Sequence, residues 1–120
     1  MTQTAIALYN FASSFGWDAY PEQSVPNDAE LPYITYTLRE DDFRVPGLIQ
    51  MRLWNVSEGY TEINSVVDKI ELEVRDGKKL FTESGIIYLY KGSPWCQFQP
   101  SEEPNLKIAY LNFIAHFATH

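Results

Sequence analysis

Histidine, cysteine and carboxylate side chains are the groups in this chain that could do chemistry. His116 and His120 lie four residues apart, a spacing that places two metal ligands on one face of a helix. Both fall at the end of a segment whose alternation predicts a strand, where four residues span roughly 13 Å, too far for one ion. We therefore interpret His116 as a surface or interface histidine and His120 as part of a frayed end, and predict no metal site.

Cys96 is the one cysteine, so a disulfide within the chain is excluded and a reducing compartment is favoured. It would be a nucleophile if a neighbouring base lowered the pKa of its thiol. Because Trp95 and Phe98 flank it in an apolar extended segment, the pattern favours a buried small side chain instead.

Adjacent carboxylates occur twice, at Glu40, Asp41 and Asp42 and again at Glu102 and Glu103. Such groups bind hard cations or act as acid and base, but no further ligand or base stands near either group, which favours solvated turns. The alternative for residues 40–42 is contact with a partner. The six glycines are scattered singly, and no phosphate, dinucleotide or zinc motif is present. The absence of these motifs weakens most hypotheses of an enzyme.

Composition narrows the class of protein further. The 120 residues include 16 acidic and 9 basic side chains, and the net charge of -7 argues against nucleic-acid and anionic-membrane binding. No apolar run approaches the roughly 18 residues of a membrane span, and no leader peptide is visible. With 45% hydrophobic and 15% aromatic residues, the composition predicts one soluble globular domain over residues 1–120, made in a cytoplasm.

Hydrophobic spacing predicts the elements. Residues 2–15 suit a short helix that Gly16 ends, and residues 17–32, with three prolines, suit an extended loop. Period-two alternation predicts strands at 33–39 and 48–56, which form an antiparallel hairpin with its tip at 40–47. Strands are also expected at the ranges 86–91, 95–99 and 106–119.

The clearest helix begins after the expected cap Thr61 and ends at Gly77. Its apolar residues share one face of a 3.6-residue repeat: Ile63, Val66, Val67, Ile70 and Val74. The order α-β-β-α-β-β-β predicts a single α+β domain with a mostly antiparallel sheet, an N-terminal helix, and the second helix packed on one face.

Aromatic residues occur on both faces of the predicted strands. Two helices cannot cover both faces of such a sheet, and contact between subunits is the usual solution. We therefore expect a homo-oligomer, with four residues as candidates for the subunit interface: Trp54, Tyr88, Tyr90 and Tyr110.

Several segments, in this order, resemble tail terminator (tail-completion, head–tail joining) proteins of long-tailed bacteriophages. They are LPYITYTL (31–38), LWNVS (53–57), INSVVDKIE (63–71) and GSPWCQ (92–97), followed by the long closing strand. The resemblance implies a structural virion protein without catalysis or cofactor, assembled in the host cytoplasm. It would form a ring, usually hexameric, on the head-proximal end of the tail tube, end tube polymerisation and offer the surface that joins the head.

The resemblance also implies partners: further copies of the chain, the tail tube protein and a head-completion or connector protein. DNA would pass through the ring without specific binding, which the acidic balance suits. We expect the hairpin tip to engage the tube, axially or in the pore, through Glu40, Asp41, Asp42, Phe43 and Arg44. The alternatives are a head-completion or connector ring subunit of the neck, or a small oligomeric ligand-binding protein or enzyme with a pocket built from strands.

Overall fold

The computed structural model describes residues 3–38, 47–83 and 85–119 of the chain. Within these ranges the helices are α1 (Gln3–Ser13) and α2 (Thr61–Val74), and a short 3₁₀ turn covers Glu22–Ser24. The strands are β1 (Asp18–Pro21), β2 (Tyr33–Leu38), β3 (Gly47–Val56), β4 (Lys78–Phe81), β5 (Gly85–Gln99) and β6 (Leu106–Thr119).

The six strands form one sheet in the order β1-β2-β3-β6-β5-β4. β1 pairs with β2 in parallel, and the other four pairs are antiparallel. The predicted α+β class, with its mostly antiparallel sheet, is confirmed. The element order is α-β-β-β-α-β-β-β, which differs from the predicted order because two short strands were missed and two predicted strands are one.

The differences from the predicted elements are local. Asp18–Pro21 lies in the range predicted as loop, and Lys78–Phe81 follows the turn at Gly77 where no strand was predicted. The predicted strands 86–91 and 95–99 form the single strand β5, whose register against β6 shifts between Lys91 and Cys96. Thr61 is the first residue of α2 rather than its cap, and Tyr60 occupies the N-cap position. Of the predicted tip at 40–47, all but the last residue lies outside the described residues.

A glycine permits the shifted register of β5. A Cβ atom built on Gly92 would lie 2.8 Å from the main-chain oxygen of Asn112 on β6, closer than real Cβ contacts come. Since that neighbour is backbone, it cannot move aside as a flexible side chain can. The absence of a side chain therefore lets the irregular part of β5 approach β6, and β5 resumes pairing at Cys96 opposite Leu111.

One face of the sheet carries the hydrophobic core. α2 buries all five of its predicted apolar residues there, and α1 adds Leu8, Phe11 and Ala12. α1 contacts β1 and β2 near one edge of the sheet and also β4 at the other edge, so the sheet curls around this helix. Both helices thus cover the same face, which we call the core face.

Phe113 lies at the centre of this core. It is fully buried on β6, and its ring packs edge-on against Phe11 of α1 at 6.3 Å and against Trp95 of β5 at 5.1 Å between centroids. Such edge-to-face pairs add to the free energy of burying the ring. Phe113 therefore connects α1, β5 and β6 through one side chain.

Replacing Phe113 with alanine tests this role. We expect Phe113→Ala to lower the free energy of unfolding by about 3–5 kcal/mol, because the surrounding helix and strands cannot close the resulting cavity. Urea denaturation at fixed protein concentration measures the effect. Phe81→Ala is the matched control, since Phe81 is 71% exposed, and should change stability by less than about 0.5 kcal/mol. Equal effects for the two variants would contradict the central position of Phe113.

Candidate functional site

The groups singled out for chemistry are dispersed in the structure. The ring of His116 is exposed and packs edge-on against Tyr90, with 5.7 Å between centroids. Glu102 and Glu103 are exposed in the turn between β5 and β6. His120 and residues 40–42 lie outside the described residues. Among the residues that the structure describes, no three His, Cys, Asp or Glu side chains are grouped so that they could hold a metal ion.

Cys96 lies partly buried on the core face of β5, opposite Leu111 of β6. Burial, with a smaller contribution from the charge of Asp68, raises the pKa of its thiol. A raised pKa keeps the sulfur protonated near neutral pH and makes it a poorer nucleophile. The sequence predicted a buried side chain, and the structure places Cys96 against the core but only partly buried.

The helices leave the other face of the sheet uncovered, and this face is here called the open face. Side chains that are neighbours across the strands form rows on it, because paired residues point to the same side. Three rows cross β3, β6 and β5: Trp54–Ile108–Gln99, Arg52–Tyr110–Gln97 and Leu48–Ile114–Tyr90. Two further rows involve β6 and β5 alone: His116–Tyr88 and Ala118–Ile86. These rows divide the face into two halves with different chemistry.

The polar half surrounds Arg52. Its guanidinium forms an ion pair with Glu22 and lies 4.5 Å from the centre of the Tyr110 ring, a cation–π contact. The indole N–H of Trp54 donates a hydrogen bond of 3.0 Å to the buried hydroxyl of Thr35. These contacts all lie within the chain, while Nε of Arg52 is buried without a hydrogen-bond partner among the described residues.

A second group extends the polar half toward the irregular part of β5. Gln50 donates from Nε2 to Oδ1 of Asn112 at 3.0 Å, and Asn112 donates from Nδ2 to the carbonyl of Pro94 at 3.0 Å. The chain of bonds crosses β3, β6 and β5. It holds the bulged segment onto the sheet.

The apolar half lies at the opposite end of the same strands and consists of Leu48, Ile86, Tyr88, Tyr90 and Ile114. Leu48 is 62% exposed and Tyr90 41% exposed, while the other three are partly exposed. Lys79 and Phe81 of β4 border this half in the rows of Tyr88 and Ile86. No described helix or loop packs over these rows in a way that buries them, so the apolar half is open to a partner.

Acidic side chains are scarce on the open face. Asp18 is the one acidic residue in any of the described strands, and the other described acidic residues lie in helices, turns and loops. The basic residues Arg52 and Lys79 do lie on this face, in the polar half and at the border of the apolar half. The apolar half itself combines aromatic and aliphatic side chains, which are enriched in the cores of protein–protein interfaces.

The four predicted interface residues all lie on the open face, but in different halves. Trp54 and Tyr110 belong to the polar half and have partners within the chain, whereas Tyr88 and Tyr90 belong to the apolar half. The sequence prediction did not include Leu48, Ile86 and Ile114. Strand alternation already placed Leu48 and Ile114 opposite the core positions, and that signal could have identified them.

Comparison with known proteins adds no family. No protein-family model matches the chain, and no curated protein matches it significantly. In the described part of the chain, neither helix is long and apolar enough to cross a membrane.

The thiol of Cys96 provides a test of the local environment. We expect iodoacetamide to alkylate the native protein more slowly than it alkylates glutathione at neutral pH. The rate should rise at a higher pH than for a free thiol, because the raised pKa means that the thiolate of Cys96 forms only at higher pH. Mass spectrometry of quenched samples measures the rate. The urea-unfolded protein is the control, and its rate of alkylation should rise over the same pH range as that of a free thiol. A native rate that is already maximal at neutral pH would contradict the burial of this thiol.

Proposed function

We propose that the chain is a structural subunit of a phage virion that forms a ring, with six copies, on the head-proximal end of the tail tube. The apolar half of the open face is the observation that carries this proposal. A surface of aliphatic and aromatic side chains that is exposed in the single chain is stable in water when another subunit covers it. The subunit contact is assigned to this half of the sheet.

The residues of the apolar half suit an interface in their type as well as their exposure. Tyr88 and Tyr90 are aromatic anchors of the kind that dominate binding energy, and Leu48 and Ile114 supply aliphatic contacts around them. The neighbouring polar half forms its own bonds and supplies a defined, water-exposed rim. This arrangement supports association through one end of the sheet rather than through the whole face.

The assignment to a tail terminator is supported by the order of the segments that resemble that family. Two of them, LPYITYTL and LWNVS, lie on the paired strands β2 and β3, and INSVVDKIE lies on α2. In such a ring the tail tube protein binds on one side and a head-completion or connector protein on the other.

The acidic balance supports a channel that DNA crosses without binding. The described acidic residues other than Asp18 lie in helices, turns and loops, and we assign them to the lumen. Acidic walls repel phosphate groups and prevent adhesion of the DNA. The described strands carry five basic residues instead, so the subunit contact is assigned to the apolar half alone and not to the sheet as a whole.

Substituting one apolar residue by an acid tests the ring. We expect Leu48→Asp to weaken self-association about 30-fold, because a carboxylate buried against apolar side chains costs about 2 kcal/mol or more. Size-exclusion chromatography with light scattering, from micromolar to millimolar protein and with or without purified tail tubes, measures the mass. Val56→Asp is the matched control: it lies on the same face of β3 at the opposite end, is 54% exposed, and should leave the mass unchanged.

Two results would contradict this part of the proposal. The unsubstituted chain could stay monomeric at millimolar concentration and also fail to bind tubes, or Leu48→Asp could assemble as well as Val56→Asp. Mixing the protein with purified tails and with tail-less heads under negative stain distinguishes a terminator from a connector subunit of the neck. Rings on isolated tail tubes support the terminator, and rings on tail-less heads alone support the neck protein.

The segment 40–44 is assigned to the contact with the tail tube. We expect deletion of residues 41–46 to abolish capping of the tube in an assembly assay while the ring mass in light scattering is retained, because the acidic residues and Phe43 would supply the contact. A deletion of Asn105 in the turn between β5 and β6 is the control and should leave capping intact. Full capping by the 41–46 deletion would overturn this assignment.

A further inference from the structure

β4 leaves one edge of the sheet unpaired. It pairs with Ile86–Leu89 of β5 on one side, and on its other side no described strand follows it. Every second residue of such an edge directs its N–H and C=O groups outward, where another extended chain can pair with them. β4 is therefore a place where a strand can be added.

The two helices make this edge the floor of a groove. All four residues of β4 line the groove, together with Asn10 of α1, Phe15 just after α1, and Leu72 of α2. The groove encloses about 680 Å³ and continues past Phe81 into a second space of about 410 Å³ beside Ile6. Leu72 is 63% exposed and Phe81 is 71% exposed, so apolar side chains stand at its rim. An extended segment of a few residues matches this shape.

The charged residues that line the groove indicate which charge a bound segment would carry. Three of the nine basic residues of the chain, Lys69, Lys78 and Lys79, line it, with Glu73 as the one acidic residue of that lining. Lys78 is engaged with Glu73 at 2.9 Å, whereas Lys69 forms no ion pair with a described residue. The groove thus has an excess of positive charge in a chain that is acidic overall.

The same lysines argue against a second β4 strand as the occupant. Antiparallel pairing of two β4 strands centred on Lys79 would set Lys79 of one copy opposite Lys79 of the other, and like charges across strands are destabilising. Lysine on an edge strand is a known protection against self-association. An acidic segment avoids this repulsion and pairs with Lys69 and Lys79 instead.

We propose that the groove between α1, α2 and β4 binds an extended acidic segment of a partner protein, which adds to the sheet beside β4. Main-chain hydrogen bonds to β4 hold the segment, and its alternate side chains divide between the helix side, where Lys69 and Leu72 lie, and the open-face side, where Lys79 and Phe81 lie. The proposal concerns a surface of the single subunit and does not depend on the ring.

Short fluorescent peptides test the proposal on the full chain. The probe alternates valine and aspartate. The controls replace its aspartates with lysines, or place a proline at its centre to remove a main-chain donor. Fluorescence polarisation should show that both controls bind at least about tenfold more weakly than the probe, and affinity for the probe should fall with added salt. Amide exchange of residues 78–81 should slow when the probe is bound.

Variants of the chain locate the site. We expect Leu72→Asp, and the pair Lys69→Glu with Lys79→Glu, each to weaken binding of the probe about tenfold, because each places negative charge against the acidic segment. Lys107→Glu, on β6 beside Tyr60, is the matched control and should bind as the unsubstituted chain does. Leu48→Asp should also bind normally, which separates this site from the ring interface. No binding of the probe, equal binding of the lysine or proline peptide, or normal binding by the groove variants would each overturn the proposal.

Discussion

The pairing of β6 between β3 and β5 is the constraint on which the rest of the structure depends. β6 contacts β3 over ten residue pairs, from Gly47–Ala115 to Val56–Leu106, and it pairs with β5 on its other side. Because side chains alternate between faces, a slip of one residue would place Asn112 and Ile114 in the core and expel Leu111 and Phe113. The register of β6 therefore fixes both the core and the open face at once.

Part of this arrangement could be predicted from the sequence because it depends on local periodicity. α2 has five apolar residues on one face, and β2, β3 and β6 alternate clearly, so their existence and most of their faces were correct. β1 and β4 could not be found in this way. Each has four residues, and each has one buried side chain, Ala19 or Leu80, which is too few to establish a period.

The continuity of β5 and the division of the open face were beyond local reasoning for a different reason. Gly92 and Pro94 are signals of a break, yet β5 continues because β6 pairs with it on both sides of the irregularity. Likewise, Trp54 and Tyr90 are both aromatic residues on the open face. Trp54 donates its indole N–H to Thr35 across the strands, whereas Tyr90 lies in the row of Ile114 and packs against His116. Only the register shows this difference.

The two edges of the sheet are secured differently, and this difference places the candidate surfaces. Glu22 follows β1 directly, and its ion pair with Arg52 joins that edge to β3, while Arg52 in turn packs on Tyr110 of β6. Pro21 and Asp18 further disfavour addition of a strand there. At the other edge β4 is joined to β5 by main-chain pairing and to α2 by the bond from Lys78 to Glu73.

The edge at β4 therefore keeps both its outer main-chain groups and its exposed apolar residues available. Phe81 connects the two surfaces, because it belongs to the row of Ile86 on the open face and also lines the groove between the helices. A subunit that covered the apolar half and a segment that filled the groove would meet at this side chain. Coupling between the two binding events would then be carried by one exposed phenylalanine, without any rearrangement of the core around Phe113.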